Sequence, residues 1–195
     1  TVLVQRHAGK GTGFHDREYI DAGAEIMLEP EQVAQKCDIL VKVKEPLESE
    51  YHLLELMHGK TLYTYLHLSG VLKSLTDTLL KEEITGVAYE TVKGPQGGLP
   101  LLAPMSEVAG VLAVQYGAEY LQKKYAGRGK TLGQITGTKA SHVVVIGAGV
   151  VGKKSTQTAA GMGARVTLFD INKDSLIRAK DELTAVLGDK LVQNI

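Results

Sequence analysis

The sequence has one cysteine, Cys37, and no net charge: 22 Lys plus Arg stand against 22 Asp plus Glu in 195 residues. A single thiol closes no internal disulfide and builds no cysteine-based zinc site, which points to a reducing cytoplasm. Charge neutrality argues against nucleic acid or an anionic membrane as the main partner, since both reward a basic excess. Long apolar runs are missing as well. The stretch around Val143–Val151 is interrupted by two glycines, far short of the roughly 20 residues a bilayer demands. No charged start followed by an apolar segment and a cleavage site is found, which argues against a signal peptide. The six histidines, at 7, 15, 52, 58, 67 and 142, follow no metal-ligand spacing, so no metal is expected. Residue 1 is Thr, and the chain opens inside the apolar run Val2-Leu3-Val4, as if entered part-way through a domain.

What is present is the balance of a globular protein, 44% hydrophobic and 23% charged. Cys37, just before the strand-like Ile39-Leu40-Val41, is expected to be a packed, inert core residue. Short β-branched runs predict strands at Val2–Gln5, Ile39–Lys44, Thr61–Leu66, Ile84–Tyr89, Val143–Ile146 and Val166–Phe169. Helix-compatible segments fall between and after them: Pro30–Lys36, Ser49–Leu56, Ser69–Glu82, Ser106–Tyr125 and Lys153–Met162. Such alternation implies βαβ units and an α/β fold with Rossmann-like parallel sheets. The Ser106–Tyr125 helix is expected to be amphipathic and opened by Ser106, with Glu107 in its first turn. A Gly/Thr-rich connector then leads to Val143. The organisation expected is therefore 1–104, a helix and linker over 105–140, and a second zone over 141–195.

Val143-Val144-Val145-Ile146-Gly147-Ala148-Gly149-Val150-Val151-Gly152 is an apolar strand running into G-x-G-x-x-G. Gly147 permits the tight turn, Gly149 lets the backbone approach a pyrophosphate, and Gly152 lets the next helix press on the sheet. A second strand ends at Asp170, 18 residues after Gly152, where an acid would hold the adenosine ribose. Such an acid repels a 2′-phosphate, and Ile171 and Asn172 supply no cation beside it, so NAD is favoured over NADP.

In the first zone Lys44, His67 and Glu90 follow successive strands at steps of 23 residues. Ligands of parallel sheets bind beyond the carboxyl ends of strands, so a cation, an imidazole and a carboxylate could share one crevice. That set suits a carboxylate-bearing substrate that exchanges protons at a carbonyl or amine carbon. On residue types alone the alternatives stay open: solvated lysines at 42 and 44, a structural histidine at 67, a locally paired Glu90.

Together the motifs resemble a known family. Lys-Val-Lys-Glu-Pro (42–46), Tyr-Thr-Tyr-Leu-His-Leu (63–68), Ala-Tyr-Glu-Thr-Val (88–92), Leu-Pro-Leu-Leu-Ala-Pro-Met-Ser-Glu-Val-Ala-Gly (99–110) and the glycine motif at 143–152 are similar to the alanine dehydrogenases. The resemblance runs from near residue 1 to about residue 182. It implies reversible, NAD-dependent oxidative deamination of L-alanine to pyruvate and ammonium in a cytoplasmic homo-oligomer, a hexamer. His67 would be the acid/base, Lys44 would meet the substrate carboxylate and carbonyl side, and Tyr65, Glu90 and Met105 would line the pocket. Ser106 would bind cofactor phosphates, Val150 and Val151 would give backbone contacts, and Asp170 would hold the ribose. Ser175 stands where the family commonly has a basic residue by the adenosine.

By the same resemblance, the family's first strand and helix, with an arginine for the substrate carboxylate, would precede Thr1. A second catalytic aspartate would follow Ile195. The 55 residues from Ser141 to Ile195 hold two strands and their helices, against the about 100–150 residues of a complete doubly wound domain. The alternatives are the nucleotide-binding component of a proton-translocating transhydrogenase and an inactive nucleotide-binding fragment.

Overall fold

Strand and helix alternate from Leu3 to Leu187 in the computed structural model, which describes residues 1–95 and 97–189. The last six residues of the expected 141–195 zone, 190–195, lie outside the described residues. The chain divides into two compact units, Thr1–Leu101 and Leu102–Ile195.

The first unit holds two parallel sheets. β1 (Leu3–Gln5) pairs with β2 (Glu25–Met27), with the short helix α1 (Asp16–Asp21) between them in sequence. β3 (Ile39–Val41), β4 (Thr61–Thr64) and β5 (Thr85–Ala88) form a second sheet in the order β3-β4-β5. Parallel neighbours need crossovers, and α3 (Tyr51–Glu55) and α4 (Lys73–Lys81) supply them. α2 (Pro30–Lys36) begins where expected: Pro30 sits at its first position, and the Gln32 side chain accepts from the Glu29 amide at 3.1 Å. Ala34, Leu54, Met57, Leu62, Leu75 and Leu79 close a core under the second sheet.

In the second unit β6 (His142–Ile146) pairs in parallel with β7 (Arg165–Phe169) through the crossover helix α6 (Val150–Gly161). α5 (Ala103–Tyr120) packs on α6, and α7 (Lys173–Leu187) follows β7. Its core gathers Val114, Leu132, Ala159, Ala160, Ala164 and Val166. Among the described residues no helix is long and apolar enough to cross a membrane.

Several expectations are corrected. β2 and α1 are additional elements; each is too short for a periodic signal. β3 stops at Val41, so Lys42 to Lys44 lie beyond the strand. α5 starts at Ala103, with Pro104 in its first turn, where the missing amide costs nothing. Ser106 is therefore inside the helix, its amide already bonded to the Leu102 carbonyl at 3.1 Å. α5 also ends at Tyr120, a separate 3-10 turn covering Lys123–Tyr125. Nor is it amphipathic: Gly110 and Val114 are buried, while Val108, Leu112 and Tyr116 are exposed. Cys37 is half-buried at the end of α2 rather than in the core. Burial pushes its thiol up, with the Lys60 charge opposing.

Candidate functional site

Polar side chains of the first unit collect just beyond β3, β4 and β5. The segment after β3 is stapled from the ends of β4 and β5. Thr64, fully buried at the end of β4, donates to the Lys44 carbonyl at 2.9 Å. The Tyr89 hydroxyl, just after β5, donates to the Val43 carbonyl at 2.5 Å. With its backbone fixed, Lys44 presents its ammonium 3.1 Å from the Glu45 carboxylate. A backbone hydrogen bond, assisted by Lys44 and by the nearby His67, holds the Glu45 carboxyl below its usual range against the effect of burial. Lys42 turns instead to Glu50, at 3.2 Å.

The Tyr65 ring is buried and meets Tyr89 edge-on, with centroids 4.2 Å apart. Its hydroxyl donates to the Leu101 carbonyl at 2.7 Å. Burial pushes the Tyr65 hydroxyl up, Glu90 adding to the shift and Lys44 opposing it. His67 is exposed, on a backbone with φ 45°, in the left-handed region. Its amide donates to Glu90 Oε1 at 2.9 Å, and its carbonyl accepts from Gly70 at 2.8 Å. Glu90 Oε2 is buried, with no hydrogen-bond partner among the described residues. The strand ends thus gather an ammonium, an imidazole on a fixed backbone, a phenol and a carboxylate: groups that bind a small carboxylate and exchange its protons.

In the second unit β6 feeds directly into the glycine turn. Gly147 has φ 101°, a conformation a side chain resists. A Cβ on Gly152 would collide with the Gly147 carbonyl oxygen. Gly149 caps α6, so Val150 and Val151 in its first turn keep amides with no preceding carbonyl to bond. A cleft of about 810 Å³ opens here, lined by Ser106, Val114, Gly147, Gly149, Val150 and Val151 among others. Asp170, just after β7, meets the glycine turn. Its Oδ2 accepts from the Ala148 amide at 2.6 Å and its Oδ1 from the Asn172 amide at 2.8 Å. These backbone bonds hold the Asp170 carboxyl below its usual range. Asn172 caps α7 by accepting from the amides of Asp174 and Ser175. The Ser175 hydroxyl meets the Arg178 guanidinium at 3.3 Å.

A turn that needs a left-handed glycine, a helix start with no room for a Cβ at Gly152, and an anchored carboxylate fit the pyrophosphate and ribose of a dinucleotide. Met105 lies in the first turn of α5 and is partly exposed. The structure brings Lys44, Tyr65, His67 and Glu90 to neighbouring strand ends in one unit. It gathers Ser106, the glycine turn and Asp170 in the other. Sequence reasoning passed over Thr64, Gly70, Tyr89, Ala148 and Arg178. Thr64 and Tyr89 fall inside the motifs quoted, and a turn of helix between Ser175 and Arg178 is visible as i, i+3 spacing. The roles of Gly70 and the Ala148 amide depend on backbone geometry and leave no trace in residue type.

Residues 1–109 match the family description "Alanine dehydrogenase/PNT, N-terminal domain", and residues 113–194 match "Alanine dehydrogenase/PNT, C-terminal domain". An alanine dehydrogenase of Mycolicibacterium smegmatis is 49% identical over 181 residues, which cover 93% of this chain and 48% of that protein. One from Methanococcus maripaludis is 43% identical over 190 residues, 97% of this chain and 49% of that one. A solved L-alanine dehydrogenase superposes with a TM-score of 0.80 at 42% identity, covering 97% of this chain and 50% of the other. A transhydrogenase from Sinorhizobium meliloti shares the fold, with a TM-score of 0.72 at 24% identity over 96% of this chain and 53% of that one. The chain spans about half the length of the curated relatives it matches.

Proposed function

The chain belongs to the alanine dehydrogenase/PNT family, and from that premise we propose that the protein carrying it performs reversible, NAD-dependent oxidative deamination of L-alanine. Water and L-alanine enter; pyruvate and ammonium leave. The observation that carries this reading is His67, exposed beyond β4 with its backbone tied to Glu90 and with Lys44 and Glu45 close by. Residues 1–104 serve as the substrate side, 105–140 as the connection, and 141–195 as the first part of the dinucleotide side.

Lys44 binds the substrate carboxylate and the carbonyl side, its ammonium anchored by a backbone that Thr64 and Tyr89 hold in place. Tyr65, Glu90 and Met105 shape the pocket. His67 takes a proton from the water that adds at the α-carbon, then returns it to the departing amine of the carbinolamine. Such a role needs a group that both accepts and donates near neutral pH, which imidazole does. NAD, when bound, supplies the hydride acceptor. Gly147, Gly149 and Gly152 would shape its cradle, Val150 and Val151 would present amides to the pyrophosphate, and the Ser106 hydroxyl would meet the phosphates. Asp170 would hold the ribose, and its fixed negative charge favours NAD over NADP. Ser175, backed by Arg178, would lie by the adenosine. The reading also makes the protein a cytoplasmic homo-oligomer, a hexamer.

The test is NADH formation by the whole protein with L-alanine, with D-alanine and NADP as controls. His67→Asn is the informative variant, because Asn tolerates a left-handed backbone and removes the imidazole. Its kcat is expected to fall by about 10²- to 10⁴-fold. Absence of turnover with His67 intact rejects the reading. Hydride exchange between nucleotides without any amino acid would point to a transhydrogenase.

A further inference from the structure

We propose that Glu90 and Gly70 are positioning residues for the His67 imidazole, Glu90 by fixing its backbone and Gly70 by leaving room for its ring. The inference rests on the assignment of His67 as the acid/base group.

Among the described residues His67 is one of four non-glycine residues with positive φ, the others being His7, Glu83 and Ala126. Glu83 directly follows the end of α4, and Ala126 follows a 3-10 turn, where left-handed residues commonly close a helical segment. His67 follows a strand, so no helix end requires its conformation. Something must hold it there. Glu90 Oε1 accepts from the His67 amide at 2.9 Å, a charge-assisted bond across 23 residues of sequence. Glu90 is itself secured: it sits in the 3-10 turn Tyr89–Thr91, which the Tyr89 hydroxyl ties to Val43 and the Thr91 hydroxyl ties to the Ala88 carbonyl at 2.8 Å. Its second oxygen is buried, with no hydrogen-bond partner among the described residues.

His7 makes a useful contrast. It too follows a strand with positive φ and has its amide accepted by a carboxylate, Asp16, at 2.7 Å. There the same carboxylate also reaches the ring, 3.4 Å from Nδ1. At His67 the carboxylate takes the amide, and among the described residues neither ring nitrogen is given a hydrogen-bond partner. The backbone is fixed and the imidazole is left to act.

Gly70 leaves the ring its room. Its amide closes a turn onto the His67 carbonyl at 2.8 Å, which folds the chain back under the side chain. A Cβ on Gly70 would lie 2.9 Å from Nε2 and 3.0 Å from Cε1 of His67. A side chain at position 70 therefore requires the imidazole to shift or the turn to give.

The test compares Glu90→Ala, Glu90→Gln and Gly70→Ala in the whole protein, with two readouts: hydrogen exchange of the His67 amide, and steady-state alanine oxidation. Glu90→Ala is expected to speed His67 amide exchange by about tenfold or more. It should lower kcat by about 10- to 100-fold, with KM for NAD within about twofold. Glu90→Gln keeps a carbonyl acceptor and should keep His67 amide exchange within about threefold of the parent. Gly70→Ala should lower kcat by about tenfold or more while the His67 amide stays protected. Unchanged amide exchange in Glu90→Ala overturns the assignment of Glu90, and unchanged kcat in Gly70→Ala overturns that of Gly70. If Glu90→Ala does not fold, failure of Glu90→Gln to keep the amide protected is the overturning result. If the protein oxidises no alanine, the function fails, while the exchange measurement still decides whether Glu90 holds the His67 backbone.

Discussion

At Asp170 both carboxylate oxygens are engaged by backbone amides, Ala148 on one side and Asn172 on the other. The residue that would meet the ribose therefore also pins the glycine turn to the end of β7. Those amide bonds favour the ionised form, so the folded carboxyl titrates below its unfolded counterpart. The stabilisation this brings is present above the ordinary carboxylate value of about 4 and is lost as pH falls through the lower folded value. Protection of the Ala148 amide from hydrogen exchange should accordingly hold at pH 6 and decline only below about pH 4. In Asp170→Ala it should be lost at every pH, with NAD binding weakened by about tenfold or more. Amide exchange followed by NMR across pH 3–7 checks the first part and calorimetry the second. Persistent protection in the variant would show that the turn holds itself.

Helices and strands differed in how far their sequences announced them. α2 is legible because proline stands at its first position. β6 and α6 are legible because an apolar strand runs into glycines at fixed spacing. β2 is three residues long, and α1 is a polar turn and a half anchored by the His15 amide on Glu18 at 2.8 Å. Neither carries enough period to be read. The 23-residue spacing located Lys44, His67 and Glu90 because one βα repeat sets the interval between strand ends. The left-handed backbone at His67 and the grip of Asp170 on Ala148 come from torsion angles and long-range bonds, which residue types do not encode.

α5 fails as an amphipathic helix for a local reason: its close contact with α6 is made through glycine. A Cβ at Gly110 would lie 2.6 Å from the Val151 carbonyl and 2.8 Å from Lys154 Cβ. The Ser155 hydroxyl donates to the Gly110 carbonyl at 3.0 Å, a buried bond that sets the contact. Gly110→Val should push the start of α6 away and cost about 1–3 kcal/mol. Because Val151 belongs to the first turn of α6, nucleotide binding should weaken in parallel. Urea unfolding with an NAD titration measures both. An unchanged midpoint would mean the helices accommodate the extra carbons by sliding.

Across the whole molecule the proposed roles divide between the two units. Lys44, Tyr65, His67 and Glu90 belong to Thr1–Leu101; Met105, Ser106, the glycine turn, Asp170 and Ser175 belong to Leu102 onward. Since each unit has its own core, a substitution that removes a binding group from one should leave the fold of the other intact. Lys44→Met removes a charge-assisted contact worth about 1.5–3 kcal/mol, so KM for alanine and pyruvate should rise by about 10- to 100-fold. The dissociation constant for NAD, measured without the amino acid, should stay within about twofold, because no proposed nucleotide contact is touched. Asp170→Ala should do the reverse, weakening NAD while leaving inhibition by a pyruvate analogue largely in place. Binary-complex calorimetry on both variants separates these outcomes. If Lys44→Met weakens NAD as much as substrate, Lys44 serves the nucleotide as well, and the division of labour between the two units is wrong.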